Sequence, residues 1–181
     1  MVALSELVSR CSTVNRVMLG SNPARHPQLT LTDWIEMSFN EHTLEVSYDG
    51  ETYYGQIGEV TSVSLGPAHR GIWSAYLNCA GKSWGIGVGG FTLDNPVKNE
   101  DGTHSHREGT GWGMDHIMKL VDTVGAESWE DCVGKYVIVL FKNNNSLGQS
   151  AIGIANITDP NKVYLIERHV NEWKATHKDS E

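Results

Sequence analysis

Cysteine is scarce. The chain has three in 181 residues, Cys11, Cys79 and Cys132, more than fifty positions apart and none in a Cys-x-x-Cys pair. This excludes a disulfide framework and a self-contained zinc knuckle, and buried, inert thiols are the reading for all three. Positive charge is scarce as well: Lys and Arg total 14 against 22 Asp and Glu, a formal net charge of −8. No window concentrates the basic residues, so a broad basic face for nucleic acid is excluded. The carboxylates are scattered rather than crowded, which speaks against an acidic imitation of DNA. Long apolar runs are missing too. The longest is Tyr136 to Phe141, against the roughly 20 residues that span a bilayer. Met1-Val2-Ala3-Leu4-Ser5-Glu6 has neither a basic n-region nor an apolar h-region, so no membrane partner and a cytoplasmic location are expected.

What is present is periodicity. Leu4, Leu7, Val8, Cys11, Val14 and Met18 recur at helical spacing, Gly20 stands where a helix stops, and residues 21–27 with Pro23 and Pro27 read as a linker. Leu31, Trp34, Ile35 and Phe39 suit a second helical face. Residues 1–40 are therefore expected to be a helical arm, suited to self-association or to a partner. The body, residues 41–167, opens with alternation at Leu44, Val46 and Tyr48, then Asp49-Gly50, then Thr52 and Tyr54. Asp-Gly between two alternating runs predicts a hairpin, because both turn positions need positive φ. Further strands are expected at residues 60–65, 72–79, 84–88, 151–157 and 163–166, with Gly66-Pro67 and residues 80–82 as turns. Residues 136–141 are apolar on both faces, as in a central strand covered on both sides.

One helix in the body is strongly specified. Met114, Ile117, Met118, Val121 and Val124 form the expected buried stripe, with Asp115, His116, Lys119 and Asp122 outward and Gly125 as the stop. Ser128-Trp129-Glu130-Asp131 reads as a capped turn before the central strand. The polar residues 168–181 are expected to be a C-terminal tail that finishes as a helix. The fold class is α+β: an antiparallel sheet with one principal helix packed on it, plus the N-terminal arm.

Two glycine-rich stretches invite a ligand. In Arg107-Glu108-Gly109-Thr110-Gly111-Trp112-Gly113, glycines permit close backbone approach and the first N–H groups of a helix attract anions. Arg107, with His104 and His106 upstream, would add charge-assisted bonds to a phosphate, and Trp112 would stack on a base. The stretch has neither the Gly-Lys-Ser/Thr ending of a P-loop nor the βαβ setting of a dinucleotide fingerprint. Close helix–sheet packing, with Thr110 as a simple cap, competes with the ligand reading. The alternating Gly85-x-Gly87-x-Gly89 leaves one strand face flat, and helix packing is its favoured explanation. His104-x-His106 has metal-pair spacing, with Asp94 or His116 to complete it, but two histidines in a polar loop are usually solvated, so no metal is assigned. No Ser or Cys triad signature is present, no catalytic residue is assigned and no cofactor is expected.

Residues 85–94 (Gly-Ile-Gly-Val-Gly-Gly-Phe-Thr-Leu-Asp), 107–114, Val124-Gly125, Ser128-Trp129-Glu130-Asp131, Gly134-Lys135-Tyr136-Val137 and Ile152-Gly153-Ile154 form a succession. It resembles a family of small proteins encoded in tailed-phage and prophage genomes, over roughly residues 59–166. Members often carry an acidic pair before a His-Gly or Arg-Gly turn, where this chain has Pro67-Ala68-His69-Arg70-Gly71. The family has no established activity. The resemblance implies a phage accessory protein that binds host or defence components, either sequestering a nucleotide-like small molecule or occluding a host protein through the arm. The alternative from another class is a small phosphoester- or nucleotide-processing enzyme using His69, His104 or His106.

Overall fold

The computed structural model describes residues 43–91, 93–144, 149–159 and 161–177. The expected arm at 1–40, its linker and Cys11 lie outside the described residues. A seven-stranded, wholly antiparallel sheet runs in the order β4 (Gly85–Phe91), β3 (Trp73–Ala80), β2 (Glu51–Pro67), β7 (Tyr136–Phe141), β8 (Gly153–Asn156) and β9 (Val163–Leu165), with β1 (Leu44–Tyr48) on β2. Strand β1 (Leu44–Tyr48) turns into β2 (Glu51–Pro67) through Asp49 and Gly50 at φ 51° and 80°. Both turn residues have the positive φ that the Asp-Gly pair predicts. Strand β2 is one continuous 17-residue strand, not two. Gly55 and Gly58 look like breaks in the sequence but act as seats: a Cβ on Gly58 would lie 2.6 Å from the Trp84 ring. Because β2 is long, it pairs β1 and β3 (Trp73–Ala80) along one edge and β7 (Tyr136–Phe141) along the other. Gly66 and Pro67 end this strand rather than forming the turn, which falls at residues 68–71.

Strand β4 (Gly85–Phe91) is a sheet edge among the described residues. Its buried face is Val88, with Ile86 packed beside it. Gly87 therefore faces the opposite side of the sheet. The expectation that these glycines admit the helix fails: Tyr76 lies over Gly87 instead, 3.3 Å from where its Cβ would stand.

Two apolar faces flank β7. Val137, Val139 and Phe141 join Val60, Leu77, Val88 and Ile154 on the side of the main helix, while Ile138 and Leu140 join Val46, Ile57, Ala155 and Leu165 on the other. Strand β8 (Gly153–Asn156) pairs β7, and β9 (Val163–Leu165) pairs β8. Cys79 and Cys132 are buried, and burial raises their thiols to about 12 and about 11 respectively, so both are inert.

The link from β4 to β7 carries elements absent from the sequence reading. Strands β5 (Asp94–Lys98) and β6 (His104–Gly109) form a separate two-stranded hairpin, so His104 and His106 stand on a strand rather than in a loop. Polar residues on both faces hid it. Next comes α1 (Gly111–Val124), which Gly125 ends at φ 77°, its N–H bonded to the carbonyls of Val121 and Asp122. A short turn at Glu130–Cys132 follows, where Ser128 Oγ donates to Asp131 and accepts its N–H. Helix α2 (Ile166–Thr176) begins directly after β9.

Substituting Val139→Asp is expected to abolish the cooperative melt. Val139 has no exposure, and an unpaired carboxylate there costs several kcal/mol, comparable to the roughly 5–15 kcal/mol of a whole domain's stability. A soluble variant melting with wild type would contradict the central placement of β7.

Candidate functional site

The buried face of α1 keeps part of the stripe that the hydrophobic spacing predicts, with Val124 in the core and Ile117 and Val121 packed against it, but it is turned away from the two methionines and toward His116. Gly113, His116, Leu120, Thr123 and Val124 turn inward, while Met114 and Met118 are each 61% exposed. Positions 113, 116, 120, 123 and 124 follow the same i, i+3, i+4, i+7 rule as the methionine stripe, so spacing alone does not choose between them. Close approach and polar partners decide. A Cβ on Gly113 would stand 2.6 Å from Leu93 Cα and 2.7 Å from Leu93 O. Only glycine lets the helix sit this close to the backbone between β4 and β5. At the other end, Asn156 Nδ2 donates to the carbonyls of Thr123 (2.8 Å) and Val124 (3.3 Å). These are the carbonyls a helix C-terminus leaves unpaired.

His116, with no exposure, heads a hydrogen-bonded chain across three elements. Its Nδ1 meets the Tyr164 hydroxyl from β9; that hydroxyl meets His169 Nδ1 of α2 at 3.0 Å; His169 Nε2 meets Asp115 Oδ2 of α1 at 2.6 Å. With Asp115 ionised and both rings neutral, each hydrogen finds one acceptor: His169 Nε2–H donates to Asp115, Tyr164 O–H to His169 Nδ1, and His116 Nδ1–H to the Tyr164 oxygen. His116 Nε2 is then a buried lone pair, and neither it nor the buried Trp112 Nε1–H has a partner. The Trp112 ring lies over both imidazoles, 4.9 Å from His116 and 5.3 Å from His169, and Trp173 meets His169 edge-on. Burial pushes His116 down to about 4, reinforced by His169 and opposed by Asp115. Burial and the Asp115 charge push the Tyr164 phenol up.

The residues expected to hold an anion are mostly engaged within the fold. Arg107 Nε donates to Asp94 Oδ2 at 2.6 Å and its Nη2 to Oδ1 at 2.9 Å, a two-pronged pair with a carboxylate that is 3% exposed. The Trp73 N–H donates to the same carboxylate, and the Arg107 bonds hold it below the usual carboxylate range. Gly109 closes β6 opposite Asp94. Thr110 caps α1, accepting the Gly113 N–H at 2.9 Å while its hydroxyl and N–H donate to Leu93 O. A Cβ on Gly111 would stand 3.1 Å from the Trp173 ring. Trp112 stacks on imidazoles of the protein itself. His104 is exposed, and His106, also exposed, contacts Glu108 at 3.0 Å. Among the described residues no group of three or more His, Cys, Asp and Glu is placed to hold a metal ion, and no helix is long and apolar enough to cross a membrane.

Helical spacing puts Asp115 and His116 together on the outward face, and no local signal marks Tyr164, His169 or Trp173. Away from this cluster, a groove of about 710 Å³ lies between the β1–β2 turn and α2. There Arg168 bridges Asp49 (2.7 Å) and Glu172 (2.8 Å). Comparison with protein-family models, with curated proteins and with solved structures finds no match.

Two outcomes are expected. Arg107→Ala leaves the buried Asp94 carboxylate without its cation and lowers the melting temperature by on the order of 5 °C or more; an unchanged melt would contradict the pinning role. Unfolding titrations at successive pH values test His116. Its pKa is lower folded than unfolded, so the unfolded chain binds the extra proton first, and stability declines as pH falls from about 6.5 to about 4. The loss reaches at most about 3 kcal/mol for this one group. In His116→Asn that contribution disappears.

Proposed function

We propose that the protein is a non-enzymatic accessory binding protein of the tailed-phage type, working in the host cytoplasm by occluding a host or defence protein. The supporting observation is the outward face of α1. Met114 and Met118 stand one turn apart and largely exposed, on a helix fastened at both ends, by the Thr110 cap that bonds Leu93 O and by Asn156 on the last carbonyls. Methionine pairs on a rigid helix make adaptable apolar contacts with a protein surface. Sequestration of a nucleotide is the weaker mechanism, because Arg107, the cation it needs, is committed to Asp94. The enzyme alternative, through His69, His104 or His106, has less support: His104 and His106 stand exposed on β6, where His106 contacts Glu108, while the buried histidines, His116 and His169, lie beneath Trp112.

The test pairs two measurements. Affinity capture from host lysate is run with wild type and with Met114→Glu and Met118→Glu, whose exposed positions leave the melt unchanged. Each substitution is expected to weaken capture of the same host protein by about tenfold or more. Calorimetric titration with mono-, di- and cyclic nucleotides, followed by chromatography, is expected to show neither heat nor product. Saturable nucleotide binding would overturn occlusion in favour of sequestration, and product formation would establish the enzyme.

A further inference from the structure

Independently of the binding role, we propose that the Asp115–His169–Tyr164–His116 chain is an acid-released latch: it accepts one proton by reversing its direction and undocks α2 on the second.

The count of donors and acceptors carries this. In the neutral chain each hydrogen has one acceptor, as described above. A first proton, taken up by His169 beside the Asp115 carboxylate, turns His169 Nδ1 into a donor. The Tyr164 oxygen accepts it, the hydroxyl hydrogen swings to His116 Nδ1, and the hydrogen of His116 moves from Nδ1 to Nε2. All three contacts survive: the two to Tyr164 invert, His169 still donates to Asp115, and one hydrogen, on His116 Nε2, goes without an acceptor. A second proton leaves no such arrangement. Both imidazoles then point N–H groups at one hydroxyl oxygen, the hydroxyl hydrogen has no acceptor, and two cations face each other in a buried space.

The charged and titratable groups bearing on His116 are Asp115 from its own helix, with Lys119 4.0 Å from that carboxylate, Tyr164 from β9 and His169 from α2. Asp115 offsets one of the two cations. It is one-third exposed and bonds His169, not His116. The weak side of the latch is α2. It contributes one buried residue, His169, and its other link to α1 is the Trp173 ring against Gly111. Strand β7, by contrast, is paired on both edges and covered on both faces. Release therefore begins at α2 and spares the sheet.

Segment-resolved hydrogen exchange of the full chain, from pH 7.5 to pH 3.5 and corrected for intrinsic exchange, reads this directly. Protection of residues 166–176 is expected to fall about tenfold per pH unit below about pH 6.5, the slope of one proton. Residues 136–141 stay protected over that range. In His116→Asn the amide nitrogen stands near the place of Nδ1 and takes no proton, so the fall is lost. Tyr164→Phe keeps the ring in the core but removes the shared oxygen, so α2 is already deprotected at pH 7.5. Three results would overturn the latch: α2 and β7 losing protection together, His116→Asn titrating like wild type, or Tyr164→Phe leaving α2 as protected as before.

Discussion

Which side of α1 turns inward governs the rest of the molecule. Two sides of that helix compete for the core around Ile117, Val121 and Val124, one through Met114 and Met118, the other through Gly113, His116 and Leu120. The second prevails because Gly113 seats the helix on the Leu93 backbone and because His116 finds a hydroxyl waiting on β9. A buried imidazole is costly without partners and acceptable with them. Once that face is chosen, two methionines are left outside and a polar chain is closed inside.

The sheet was largely legible in the sequence. Asp49-Gly50 announced its hairpin, and residues 136–141, apolar at every position, announced a strand with two covered faces. Local signals fail where tertiary partners decide. Gly55 and Gly58 look like breaks until Trp84 and Ile138 are seen lying over them. Nothing in the alternation of residues 94–109 marks a hairpin, since beyond its ladder and its Asn99–Thr103 turn it is held by the pairing of Arg107 with Asp94. The site was less legible still. Of the residues singled out between 104 and 113, Arg107 to Gly113 form a junction that joins β6 to α1, while His104 and His106 stay exposed along β6. The polar cluster beneath is assembled from positions near 115 and near 164–169, a separation no local motif spans.

The junction and the cluster share a design. Asp94 is buried yet paired by Arg107 and the Trp73 N–H, and Asp115 is half-buried yet bonded to His169. Each carboxylate ties a later element back to an earlier one, so polar side chains supply the specificity of the crossover while the apolar sheet supplies its bulk. This division leaves α1 rigid along its length and free on one side, which is the geometry a protein-contacting helix needs.

The inward turn of His116 is open to direct measurement by nitrogen NMR of the imidazole rings. The account predicts a His116 ring with its hydrogen on Nδ1 at neutral pH, coupled to the Tyr164 hydroxyl, and still unprotonated at pH 5. A His116 ring with its hydrogen on Nε2, titrating near 6.5 like a solvated imidazole, would mean that α1 buries its methionine face instead, and the account would be wrong.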